Sequence, residues 1–112
     1  MNKKVSVKKN ISGFEDLVYQ LTSTIPRGKV STYKLIAESI GRPKSARAVG
    51  NALNKNPYAP QVPCHRVVRS DGRVGGFAGG AKEKEALLRS EGVTIAGGRV
   101  QEFEKALYGV RL

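Results

Sequence analysis

The sequence predicts a helix-rich α+β domain. Phe14, Leu17, Val18 and Leu21 recur at i, i+3, i+4 and i+7, the period of an amphipathic helix. Two further short apolar-faced stretches are separated by Gly41-Arg42-Pro43, and Val-containing segments flank Ser70-Asp71-Gly72. With 112 residues, 39% of them hydrophobic, the chain can bury one core without a metal or a disulfide.

Ahead of the first helix, Lys3, Lys4, Lys8 and Lys9 make residues 1–12 a basic arm or a short edge strand. Ser12 and Glu15 stand at capping-box spacing, and Ile25-Pro26-Arg27-Gly28 ends the helix in a turn. Thr32 caps a second helix, Tyr33 to Ile40, with Leu35, Ile36 and Ile40 on its apolar face and Gly41 as its stop. Ser45 caps a third, running to about Asn54, with Ala48, Val49, Ala52 and Leu53 facing inward. Two short helices around a tight turn are the arrangement of a helix-turn-helix. Pro57, Pro60 and Pro63 are expected to hold the following stretch extended. Arg66-Val67-Val68-Arg69 and Arg73-Val74 then form a small β-hairpin about Ser70-Asp71-Gly72, giving the domain a winged-helix-like character. Gly75, Gly76, Gly79 and Gly80 surround Phe77 in a loop able to approach a ligand closely. A helix follows from about Lys82 to Ser90, with Leu87 and Leu88 inward. Residues 94–112 are a C-terminal extension: a short strand, a Gly97-Gly98 turn and a final amphipathic helix. Neither a repeat nor an internal boundary divides residues 1–112.

Lys and Arg number 20 against 9 Asp and Glu, a net charge of +11 with a pI near 10.2. That balance favours a nucleic-acid partner, because clustered cations that neutralise phosphates release counterions. An anionic membrane is the weaker reading, since no basic amphipathic helix of the surface-lying kind is apparent. One cysteine cannot close an intramolecular disulfide, and the soft ligands for a structural zinc are lacking. With no apolar run long enough for a signal peptide or a span, a cytoplasmic location is expected, nuclear if the source is eukaryotic.

The lone cysteine and lone histidine are neighbours in Pro63-Cys64-His65-Arg66-Val67. A thiolate is the nucleophilic form of cysteine, and histidine is the side chain that takes a proton near neutral pH. Neighbours on an extended segment point to opposite faces, so contact between them needs a turn or a bridging water. The base must itself be oriented, usually by a carboxylate. Downstream stand Asp71, Glu83, Glu85, Glu91, Glu102 and Glu104, of which Glu91, between a helix end and Gly92, is well placed to reach inward. The bland alternative is a buried thiol beside a satisfied core histidine.

Pro63-Cys64-His65-Arg66-Val67 resembles the active-site signature of the O6-alkylguanine-DNA alkyltransferases. Ile25-Pro26-Arg27-Gly28-Lys29-Val30-Ser31-Thr32-Tyr33 is similar to that family's entry into its helix-turn-helix, and Ala46-Arg47-Ala48-Val49-Gly50 to its recognition helix. Asn56-Pro57, Val74-Gly75-Gly76-Phe77-Ala78-Gly79-Gly80 and Leu87-Leu88-Arg89-Ser90-Glu91-Gly92 match the turn before the site, the active-site loop and the closing helix. The resemblance covers about residues 14 to 93, in order and at the family's spacing.

The resemblance implies a protein that flips a damaged guanine out of duplex DNA and removes its O6-alkyl group by direct displacement. Cys64 would be the acceptor, His65 its base acting through water, Glu91 the group that orients His65, and Asn56 a brace for the turn. Tyr33 would donate a hydrogen bond to the departing guanine. Arg47 would enter the duplex in place of the flipped base, from a helix-turn-helix lying in the minor groove. Small Ala46, Ala48 and Gly50 suit that narrow groove, with Thr32, Lys44 and Ser45 as further DNA contacts. Pro63, Val67, Phe77, Ala78 and Gly79 would form the base pocket, where the carbonyls of Cys64 and Val67 accept from the guanine amino group and N–H groups near Ala78 face O6. The product is a stable thioether, so the monomeric protein is consumed once. The resemblance implies no cofactor and no metal.

Larger members carry an N-terminal domain ahead of this module, so a stand-alone catalytic domain is expected. Phe77 and Ala78 occupy positions where some members have Tyr and Ser, which removes one donor to O6. Two rivals share the helix-turn-helix. A lesion sensor like the alkyltransferase-like proteins would bind alkylguanine without removing the group, and such proteins characteristically lack the cysteine. An ordinary helix-turn-helix regulator would not need Pro63-Cys64-His65.

Overall fold

The computed structural model describes residues 13–77 and 79–111. The basic arm, the Ser12 cap and Ala78 lie outside the described residues. The element order is α1 (Gly13–Thr22), β1 (Ser31–Thr32), α2 (Tyr33–Ile40), α3 (Ala46–Asn54), a 3-10 turn (Cys64–Arg66), β2 (Val67–Val68), α4 (Ala81–Ser90), β3 (Ile95–Ala96), β4 (Arg99–Val100) and the single-turn α5 (Phe103–Ala106). Helices with two small sheets make this an α+β fold.

The helix-turn-helix forms where the sequence places it. The Thr32 hydroxyl accepts from the Leu35 N–H at 3.0 Å and opens α2. Gly41, at φ 88°, closes it in the left-handed region that a side chain would disfavour. Ser45 makes no side-chain capping bond; its carbonyl starts α3 by accepting from Val49 at 3.0 Å. Ala48 is exposed, not inward. Val49, Ala52 and Leu53 make the buried stripe, and Ala48 sits about 100° round the helix from Val49.

The expected hairpin at residues 66–74 is replaced by a turn whose flanks pair elsewhere. Arg69 N–H donates to the Arg73 carbonyl, but β2 runs parallel to β1, with Ser31 opposite Val67 and Thr32 opposite Val68. Arg73 instead bridges to Arg99. The reason is burial on both faces. Val67 packs with the helical core of Val18, Leu21, Ile36 and Val49, whereas Val68 packs with a second core of Val30, Leu88, Ile95 and Val100. The antiparallel hairpin is β3–β4, with Ile95 opposite Val100.

The Pro57–Pro63 stretch is likewise curled rather than extended. The Asn56 side chain accepts from the Tyr58 N–H at 2.9 Å and donates to the Val62 carbonyl at 2.7 Å. The final helix shortens to α5. Beyond it the chain returns to the core: Tyr108 N–H donates to Val30 at 2.7 Å, and Ser39 Oγ donates to the Val110 carbonyl at 2.8 Å.

Candidate active site and nucleic-acid interface

Cys64 opens a tight turn in which its N–H donates to the Val62 carbonyl at 2.8 Å and the Arg66 N–H to Pro63 at 2.9 Å. The thiol is partly exposed, whereas His65 is buried. No hydrogen bond joins the two side chains among the described residues. His65 turns away, its Nε2 lying 2.9 Å from Oε2 of Glu91. Glu91 immediately follows α4. It also accepts both prongs of Arg66, Nε at 2.9 Å and Nη2 at 2.8 Å, while Nη1 donates to the Ile25 carbonyl at 2.8 Å. Burial opposes ionisation of Glu91, but the hydrogen bonds from Arg66 and His65 outweigh it and hold its pKa down at about 2. An ionised Glu91 favours the histidine tautomer with a proton on Nε2, leaving Nδ1 to accept.

Lys84, fully buried on α4, supplies a second organising charge. Its Nζ donates to the carbonyls of Val67 at 2.7 Å and Gly76 at 3.0 Å and to the Tyr33 hydroxyl at 3.3 Å. Three acceptors use all three ammonium donors, which is what allows a lysine to stay in the interior. Burial pushes its pKa down to about 8, against the opposing pull of Cys64. Burial also raises the Tyr33 pKa, with Cys64 adding to the effect, so the phenol keeps its proton at neutral pH. Because Lys84 donates to the phenol oxygen, the Tyr33 proton is left for another acceptor.

Tyr33 opens onto a cleft of about 410 Å³ walled by Ala46, Arg47, Gly50, Asn51, Asn54, Arg69, Gly75 and Gly76. Gly75, at φ 81°, keeps this wall thin: a Cβ there would stand 3.2 Å from Arg69 Cγ and 3.6 Å from the Tyr33 hydroxyl. The predicted site residues therefore fall into groups. Tyr33, Ala46, Arg47 and Gly50 share the cleft, His65 and Glu91 are bonded to each other, and Asn56 clamps the loop leading to Cys64. Thr32 is buried as a helix cap, and Pro63 and Val67 are buried, the Val67 carbonyl being taken by Lys84. Lys44, Ala48 and Gly79 are exposed, and Ser45 and Phe77 half-buried, outside the cleft walls. No group of three His, Cys, Asp or Glu side chains able to hold a metal occurs among the described residues.

Sequence reasoning missed Arg66 and Lys84. Lys84 stands four residues before the inward Leu88, on the same helix face, and that register was the available signal. Arg66 gave none beyond sharing a turn with His65.

A helix-turn-helix bearing a thiol beside a charge-oriented histidine is the class of protein these features define. Residues 13–93 match the model of the 6-O-methylguanine DNA methyltransferase DNA-binding domain, and the chain belongs to that family. It is 50% identical over 78 residues to the methylated-DNA–protein-cysteine methyltransferase of Methanosarcina barkeri, covering 70% of this chain and 49% of that one. Identity to the Saccharolobus islandicus protein of the same name is 53%, over 70% of this chain and 50% of the relative. The chain thus spans about half the length of the curated relatives it matches. Mycobacterium tuberculosis OGT, solved in complex with DNA, superposes with a TM-score of 0.70 at 44% identity, over 73% of this chain and 51% of that one. S. pombe Atl1, in complex with damaged DNA containing O6-carboxymethylguanine, superposes with a TM-score of 0.75 at 34% identity, over 85% of this chain and 94% of Atl1.

Proposed function

We propose that this protein repairs O6-alkylguanine in double-stranded DNA by transferring the alkyl group, stoichiometrically and irreversibly, to Cys64. The observation that carries the reading is the His65–Glu91 contact at 2.9 Å, made by the residue next in the chain to a partly exposed cysteine. Glu91 holds His65 in one tautomer; His65 takes the thiol proton through water; the thiolate attacks the alkyl carbon. The new S–C bond forms as the C–O6 bond breaks, and its electron pair leaves with the guanine, which Tyr33 stabilises by hydrogen bonding. The Lys84 charge favours the thiolate, and Asn56 braces the turn.

Arg47, on the rim of the same cleft as Tyr33, fills the space of the flipped nucleotide while the helix-turn-helix lies in the minor groove, with Ala46, Ala48 and Gly50 allowing close approach and Lys44 and Ser45 flanking it. Thr32, buried as the α2 cap, serves by placing Tyr33. Pro63, Val67, Phe77, Ala78 and Gly79 belong to the base pocket in this reading, with Val67 contributing through its backbone. The chain acts as a monomeric module needing no cofactor or metal, in the cytoplasm or, in a eukaryote, the nucleus. No helix among the described residues is long and apolar enough to cross a membrane.

A second reading draws on Atl1, whose whole length this chain nearly covers: lesion sensing without transfer. Cys64, with His65 and Glu91 in bonding register, favours the first. Single-turnover stoichiometry decides. One equivalent of O6-methylguanine duplex should be repaired per protein, and a second equivalent should remain intact. Undiminished lesion with tight binding would support the sensor.

A further inference from the structure

The arginines of the 69–73 turn and of β4 have no chemical role in the proposed transfer, although Arg69 lines the Tyr33 cleft. Arg69, Arg73 and Arg99 are all exposed and held in one cluster. Arg69 N–H donates to the Arg73 carbonyl at 2.9 Å, Arg73 bridges to Arg99, and Arg99 Nη1 donates to the Asp71 carbonyl at 2.9 Å. The carboxylate at their centre is Asp71, 3.6 Å from Arg73 Nε. Asp71 is held below the usual carboxylate range, first by the Arg73 N–H and also by the three arginines. Three guanidiniums and one carboxylate leave a net charge of about +2 where the 69–73 turn meets β4, with most of their donors free. Arg69 connects the cluster to the cleft: its stem crosses Gly75, and it forms part of the wall beside Tyr33 and Arg47.

We infer that this turn and the β3–β4 hairpin form a second phosphate-binding rim for duplex DNA, separate from the helix-turn-helix. The inference rests on the duplex-DNA reading above. Guanidinium forks fit phosphate oxygens, and Asp71 offsets only one of the three positive charges, so a further anion is favoured beside them. Arg99 makes the C-terminal segment part of the interface. The base is gripped from one side of the cleft by α3 and the backbone from the other by this rim.

The test is the salt dependence of binding to an undamaged duplex, followed by fluorescence anisotropy. Arg73→Gln/Arg99→Gln should flatten the slope of log affinity against log salt by about 2, one for each lost phosphate contact. Lys29→Gln/Lys105→Gln removes the same charge at a different cleft, and Arg73→Lys/Arg99→Lys keeps the charge; both should hold the parental slope. All three variants should react with a free O6-alkylguanine base at the parental rate, which verifies the fold. A parental slope in Arg73→Gln/Arg99→Gln would overturn the inference, as would equal flattening in Lys29→Gln/Lys105→Gln. Loss of binding confined to anionic phospholipid vesicles would replace it with a membrane surface. A parent that does not bind duplex DNA at all would remove the functional reading itself.

Discussion

Nε2 of His65 and Oε2 of Glu91 lie 2.9 Å apart, and the same carboxylate accepts Arg66 from the other side. Glu91 is thus a shared anchor for the proposed base and, through Arg66, for the turn at Ile25 that follows α1. Glu91→Gln should slow methyl transfer by about 10²-fold and destabilise the fold by about 3 kcal/mol, because Arg66 loses its buried counter-charge. Transfer kinetics and denaturant unfolding measure the two effects separately. The depressed pKa of Glu91 also sets a sign with pH. Between its ordinary value and about 2 the unfolded chain holds a proton that the folded chain does not, so stability falls as pH drops through that window. The Gln variant should lack this component.

Lys84→Met retains bulk but leaves the Val67 and Gly76 carbonyls without their donor, costing about 1–3 kcal/mol for each such acceptor. Transfer should slow as well, through loss of the cation near Cys64 and of the contact fixing Tyr33. In the parent, deprotonation of Lys84 near pH 8 should flatten the rise of transfer rate with pH; the Met variant should show no inflection there. A pH–rate profile of both proteins checks it.

Arg47→Ala should weaken repair of duplex DNA by ten-fold or more, on the order of 1–3 kcal/mol for one lost stacking or bonding contact, while leaving reaction with a free alkylguanine base nearly unchanged. Equal losses on both substrates would argue against a role in flipping.

Cys64→Ala should abolish transfer and leave lesion-selective binding largely intact. Anisotropy with lesion and undamaged duplexes, alongside circular dichroism of the variant, separates loss of chemistry from loss of fold.

Much of this is legible in the sequence. The caps at Thr32 and Gly41 are local, so the sequence showed them. Glu91 stands out by its place after a helix; the Cys64–His65 separation is expected from an extended segment, whereas Cys64–Arg66 is a 3-10 turn in which His65 is instead drawn to Glu91. The pairing of Val67–Val68 with β1 is not legible: two consecutive valines fit either a hairpin arm or a strand buried on both faces, and only the helical core against Val67 and Val30 and Leu88 against Val68 decide. Lys84 is not legible either, because among Lys82, Glu83, Lys84 and Glu85 nothing in residue type marks the one that turns inward. Ser45 shows the limit of a cap read from residue type, because its backbone, at φ −105° and ψ 25°, is not in the extended conformation typical of a capping residue, and its hydroxyl makes no capping bond.

Covalent transfer to Cys64 is what separates a transferase from a lesion sensor. Intact-protein mass after mixing with a duplex carrying one O6-methylguanine, with peptide mapping of the adduct, tests it most directly. A gain of one methyl group per protein on Cys64 is the expected result. Tight, lesion-selective binding with no change in mass would contradict the transferase and leave a sensor.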